Sequence, residues 1–253
     1  MWNITLNTFK EIVRNKFLYL IIFFAIIFLF FSIILWKLTM WEDSKVIVDF
    51  WLAMIELFWL IWVLFVGSQL LFKEVEWKTI FLILSKPIKR YEFLLWKFFW
   101  FSLTITLIIL VQSIFFIFIL LYKDIQITYL IVFSLFFIFL KLEILLSIVL
   151  FLATFMSNML TILISLLIYF LSHSFQLIID LWFRLKNEIV VDIARGIQLL
   201  FPPFEALNIK DIIGSFVTIK ADFIIYNTFY AIMYIIILLY LTILIFNKKK
   251  FEN

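Results

Sequence analysis

Three ionisable side chains, Glu56, Lys141 and Glu143, stand inside stretches that are otherwise almost wholly apolar. A charge at hydrocarbon depth is costly, so such residues pair, face a water-filled path, or mark a site. Lys141 and Glu143 are two positions apart and leave a helix in different directions. Lys141 reaches Glu56 if the two stretches pack together. The other arrangements open to these residues are a hydrated path that they line, and snorkelling from a fourth helix broken near 141. His173, in Ser172-His173-Ser174, is the one histidine of the chain. With no clustered carboxylates beside it, it reads as a capping or hydrogen-bonding group rather than a ligand. The chain has no cysteine, which removes disulfides, thiol nucleophiles and thiolate metal sites. It has no G-x-x-x-x-G-K-[ST], no H-E-x-x-H and no G-x-S-x-G. The expectation is a chain that is not an enzyme and binds no cofactor of its own.

The elements that must position these residues are apolar spans. Of the 253 residues, 67% are hydrophobic, against about 45–50% in soluble domains. Mean hydropathy is +1.21. The fold class expected is an all-α integral membrane protein, one transmembrane domain over 1–253. A span needs about 20 apolar residues, and six such runs occur, at about 17–36, 51–72, 94–121, 129–152, 159–177 and 223–246. The first run is too long for the core of a cleavable signal, and no small-residue cleavage motif follows it. Residues 3–16 form an amphipathic helix, with Ile4, Phe9, Ile12 and Val13 on one face and Lys10, Glu11 and Arg14 largely on the other. Phe155-Met156-Ser157-Asn158 makes a tight hairpin between the fourth and fifth spans. In the long connection 178–222, Leu177, Leu181, Leu185, Ile189, Ile193 and Ile197 recur every fourth position as far as Pro202-Pro203. That spacing predicts an amphipathic helix or a re-entrant pair on the outer face.

The one long charged passage between two apolar blocks is 73–97, KEVEWKTIFLILSKPIKRYEFLLWK. It belongs in water or among headgroups. A short amphipathic helix is expected from about Glu74 to Leu84, then a turn at Ser85-Lys86-Pro87, since a residue before proline disfavours helix. The basic residues of this loop, with Lys10, Arg14 and Lys16 and the tail Lys248, Lys249 and Lys250, place the loop and both termini on the cytoplasmic side. Lys37, Lys45, Lys123, Arg184, Lys186, Arg195, Lys210 and Lys220 fall in the outer connections. The net charge of +4 therefore reflects topology and implies no nucleic acid.

The order E-x-E-x-x-T-I-x-x-x-L-S-K-P-I-x-R-x-E-F-L-L-x-K, from Glu74 to Lys97, resembles the cytoplasmic loop of ABC-2-type transporter permeases. T-F-K-E-I-V-R-N-K-F, from Thr8, resembles how that family begins, with its elbow helix. F-E-A-L-N-I-K-D, from Phe204, resembles its segment between the fifth and sixth spans. The resemblance implies a permease subunit of an export system in the cell membrane. Its partners would be a second permease subunit, as homodimer or heterodimer, and a separate P-loop ATPase that binds the ATP. It assigns ATPase coupling to Glu74, Glu76, Lys78, Thr79, Lys86, Pro87 and Arg90. The alternative is a multi-pass membrane scaffold or an intramembrane enzyme of unknown chemistry.

Ten Trp against three Gly is an odd balance, since glycine averages about 7% and membrane helices use more. Trp36, Trp41 and Trp51 suit one interfacial belt, and Trp96 and Trp100 the other. Trp59 and Trp62 fall in mid-span, and the family pattern carries glycine where Trp96 and Trp100 stand. Trp51, Trp59, Trp62 and Trp77 also stand where glycine would read naturally, and we expect that these, with Trp96 and Trp100, are encoded by UGA and read as glycine in the source organism. Small residues would then line the span contacts.

Span number and charge asymmetry make a topology prediction. Tags at residue 1, beside Lys89 and at residue 253 report cytoplasmic in a reporter-fusion assay, and a tag beside Lys186 reports outside. A cytoplasmic signal at Lys186 contradicts six spans.

Overall fold

The computed structural model describes residues 43–76, 89–185, 188–213 and 219–248. The expected elbow helix 3–16 and first span 17–36 lie outside these residues. The described residues are helical, with no strand among them. The order is α1 (Asp43–Trp62), a π-turn (Val63–Gly67), α2 (Ser68–Glu76), α3 (Arg90–Tyr122), α4 (Tyr129–Ala153), α5 (Asn158–Arg184), α6 (Glu188–Gln198), a 3-10 turn (Lys210–Ile212) and α7 (Ala221–Lys248). Five helical segments are long and apolar enough to cross a membrane: Ser44–Phe72, Arg90–Tyr122, Tyr129–Ala153, Asn158–Arg184 and Ala221–Lys248. These are the second to sixth expected spans, and the chain reads as a multi-pass membrane protein.

α4 is the axis of the bundle. It is apolar on all sides, and 83% of its most apolar window is buried, the signature of a core helix rather than a surface one. α1 with its π-turn, α2, α3, α5 and α7 all pack against it. α7, last in the chain, makes the most extensive contact with it. α5 and α7 turn most of their surface outward, with Leu167, Phe170, Ile225, Phe229 and Ile237 exposed. Such a surface is at home in lipid and out of place in water.

Several hydroxyl groups in the apolar helices bond to their own backbone. Thr104 donates to Trp100 O, Thr106 to Ser102 O, Ser113 to Ile109 O and Thr242 to Leu238 O. This back-bonding lets a polar side chain sit in an apolar helix without a partner on another helix. The π-turn is the one irregularity of the long span 44–72. It brings Gly67 so close to α4 that a Cβ there would lie 3.3 Å from Leu146 Cδ1 and 3.5 Å from Val149 Cγ1. At the opposite end of the molecule from the α3–α4 loop, Glu92 Oε2 accepts from Lys89 N at 3.4 Å and caps α3. Arg90 Nη1 donates to Asn247 O at 3.4 Å and ties the start of α3 to the end of α7.

The fifth span is longer than the sequence suggests. Expected at 159–177, it runs on to Arg184, because the apolar stripe through Leu177 and Leu181 continues it. α6 then folds back along α5, with Ile179 packed on Val191 and Ala194. The stripe thus becomes a helical hairpin of α5 and α6.

The tryptophans divide by position. Trp51, Trp59 and Trp62 are buried in α1. Trp51 stacks on Phe116 at 5.8 Å and Trp62 on Phe101 at 4.4 Å, and Trp59 Nε1 donates to Gln112 Oε1 at 2.5 Å. Trp96 is exposed on α3. In the Trp-bearing chain, Trp59→Gly or Trp62→Gly leaves a cavity and costs about 3–5 kcal/mol, whereas Trp96→Gly costs about 1 kcal/mol of helix propensity. Unfolding in mixed micelles measures both, and equal losses contradict this packing. Peptide masses from the source organism read the native residue at each position directly.

Candidate functional site

Glu56 is 3% exposed and lies in α1, thirteen residues past Asp43. Lys141 is the middle residue of α4 and is 2% exposed. Lys141 Nζ donates to Glu56 Oε1 at 2.8 Å. Tyr169 OH, from α5, donates to the same oxygen at 2.8 Å. Lys210 Nζ, from the 3-10 turn, donates to the other oxygen, Oε2, at 2.7 Å. One carboxylate therefore receives three donors, two of them cationic, from three elements other than its own. One turn above Tyr169 on α5, His173 Nδ1 lies 3.0 Å from Glu205 Oε2. His173 Nε2 is 3.9 Å from Glu56 Oε1, too long for a hydrogen bond but close enough to feel its charge. Two carboxylates and two ammonium groups balance within the cluster.

The segment that delivers Glu205 and Lys210 is not α-helical. α6 descends beside α5 for eleven residues, roughly 16 Å, and the chain turns at Pro202-Pro203. Ser172 Oγ donates to Pro202 O, which anchors the turn to α5. Tyr234 OH donates to Leu200 O at 3.2 Å and anchors it to α7. Phe204, fully buried, wedges against Tyr169 at 5.1 Å and stacks on His173 at 6.0 Å. Leu207, Ile209 and Ile213 follow it into the core. Irregular backbone at this depth is tolerated only where protein buries it, and these apolar side chains do so.

Glu143 points elsewhere on α4, as its two-residue offset from Lys141 requires. It is 4% exposed, and its Oε1 has no hydrogen-bond partner among the described residues. α4 passes unbroken through 141–143, so neither charge snorkels from a broken helix. Of the residues that the resemblance assigns to coupling, Glu74 and Glu76 fall in the last turn of α2 and Arg90 opens α3. Lys78, Thr79, Lys86 and Pro87 lie outside the described residues.

Sequence reasoning missed Tyr169, Glu205 and Lys210. Lys210 counted among the cations of the outer connection, yet its ammonium lies at the middle of the bundle. The available signal was the F-E-A-L-N-I-K-D run, which holds both Glu205 and Lys210. Compared with known proteins, the chain matches no family model and no curated sequence.

Removing the carboxylate strands the buried Lys141 ammonium away from water and takes the partner from the half-buried Lys210. Glu56→Gln should cost about 3–5 kcal/mol of stability, read from the unfolding midpoint in mixed micelles. Replacing Glu56, Lys141 and Lys210 together by leucine or methionine should recover most of that loss, since the one charge left, on Glu205, keeps 35% side-chain exposure and no fully buried charge is orphaned. If the triple variant is as unstable as the single one, the cluster is not held by charge balance.

Proposed function

We propose that this chain is a permease subunit of an ABC-2-type transporter, exporting a substrate across the cell membrane at the expense of ATP hydrolysed by a separate P-loop ATPase. The observation that carries the reading is the ordered pattern from Glu74 to Lys97, set between the spans α1–α2 and α3. In this reading the membrane is the plasma or inner membrane and both termini are cytoplasmic. The Arg184 end of the bundle then faces outward. Two such subunits, identical or different, meet two ATPases.

The geometry supports a coupling route. Glu74, Glu76, Lys78 and Thr79 dock on the ATPase, and Lys86, Pro87 and Arg90 set a stiff exit into α3, because proline locks one backbone angle and removes a donor. Arg90 also holds Asn247 O at the end of α7, so a push on the loop reaches α3 and α7 together. α7 in turn packs along α4, which carries Lys141. ATP binding draws the ATPases together, moves the loop, and opens the permease interface outward against the Glu56 cluster.

The loop is tested without touching a span. Reversing Glu74 and Glu76 to lysine should weaken ATPase copurification at least tenfold. The effect should shrink with salt, because exposed charges are screened over about 8 Å at physiological ionic strength. Pro87→Gly should preserve binding and lower substrate-stimulated hydrolysis. A charge-reversed protein that inserts, binds and stimulates like its parent would falsify the assignment of this loop.

A further inference from the structure

We propose that the cavity between the Pro202-Pro203 turn and α7 binds a small organic ammonium that also carries an acceptor oxygen. This chemistry is shared by ethanolamine and choline headgroups of lipids and by their free soluble forms. The cavity measures about 200 Å³ and opens at one side. Its walls are Phe201, Pro203 and Glu205 of the turn, and Tyr226, Asn227 and Tyr230 of α7.

The lining selects for positive charge. Glu205 supplies a carboxylate at the wall, and its side chain keeps 35% exposure although His173 occupies Oε2. Phe201, Tyr226 and Tyr230 supply aromatic faces, which attract a desolvated ammonium within about 6 Å. Among the described residues no lysine or arginine lines the cavity, so an anion alone finds no counter-charge from them. A carboxylate with two or three rings suits an ammonium better than a metal ion, which would need more oxygen donors.

A second observation specifies the rest of the ligand. Asn227 is 5% exposed, and its Nδ2 has no hydrogen-bond partner among the described residues. A buried donor left unmade is costly and calls for an occupant. Nδ2 is closed off as the side chain stands, and a turn of the amide about χ2 brings it to the cavity that Asn227 lines, where an oxygen on the ligand, ester or hydroxyl, would satisfy it. Asn227 sits one turn below Phe223 at the start of α7, and Leu199 and Leu200 beside the turn are among the most exposed apolar residues of the chain. An acyl chain leaving the cavity would lie along them, whereas the cavity itself has room for a headgroup alone.

The test uses the full chain in maltoside micelles and reads binding by titration calorimetry, with no ATPase present. Its failure therefore leaves the transport reading standing, and loss of ATPase coupling leaves this site standing. The soluble arm uses phosphocholine and phosphoethanolamine against glycerol 3-phosphate. The lipid arm uses dihexanoyl phosphatidylcholine against dihexanoyl phosphatidylglycerol. Saturable binding of the ammonium-bearing probe in either arm supports the site, and the arm that saturates at the lower concentration names the source. Glu205→Gln should weaken that binding about tenfold. Tyr226→Ala, at a 69% exposed position that folding does not need, should weaken it several-fold, with Tyr226→Phe restoring it. Asn227→Leu should weaken phosphocholine more than tetramethylammonium, which has no acceptor oxygen. Equal binding of the ammonium-free analogue in both arms, no saturable binding at all, or unchanged affinity in both Glu205→Gln and Tyr226→Ala overturns the proposal.

Discussion

Glu56 is the point on which the described structure turns. A carboxylate withdrawn from water must be paid for by donors, and here the donors come from α4, α5 and the 3-10 turn. Each has its own reason to be where it is: Lys141 at the middle of the core helix, Tyr169 on a helix that otherwise faces outward, Lys210 on a segment with no helical support. The carboxylate thus fixes how far α1 slides along α4 and how far the segment after α6 reaches into the bundle. Apolar packing alone would tolerate other depths, because lipid tails solvate leucine and phenylalanine as well as a neighbouring helix does.

This division of labour follows from composition. Membrane helices commonly approach through small residues, and the chain as written has three glycines. Close approach survives at Gly67, against Leu146 and Val149. Elsewhere bulky rings fill the contact, as between Trp62 and Phe101. Rings give area but define sliding poorly, so the polar contacts carry the specification: Trp59 on Gln112, Lys141 on Glu56, Ser172 on Pro202. Buried polar contacts at unique positions are suited to that role because every misaligned arrangement leaves one of them unmade.

What the sequence disclosed follows the same physics. Spans were legible because hydrocarbon thickness demands a long apolar run, and the second to sixth appear within several residues of their expected bounds. The end of α5 was misjudged because a stripe at every fourth position looks the same on a spanning helix and on one that lies flat. Glu56 and Lys141 were conspicuous as charges in apolar runs, but which of three arrangements they adopt depends on packing between helices that are 85 residues apart. Lys210 was illegible for another reason. A cation in a connecting segment carries no mark of depth, and only the helical hairpin of α5 and α6 brings it down to Glu56. Tyr169 carries no mark at all, since tyrosine is as common at interfaces as in cores.

The π-turn at Val63–Gly67 has a geometric consequence for the whole second half of that span. Each residue of an α-helix advances the side-chain direction by roughly 100°, and a π-turn accommodates one residue more than the α-helical count. Everything after Gly67 is therefore turned relative to the frame in which Glu56 faces α4. The same helix aims an acid inward at its middle and a glycine at α4 about three turns of chain later, while α2 continues along a bearing that a straight continuation would not give. Deleting one residue between 63 and 67 would restore the uninterrupted ladder of hydrogen bonds, and would swing the exit of the chain about a quarter of a revolution around the helix axis.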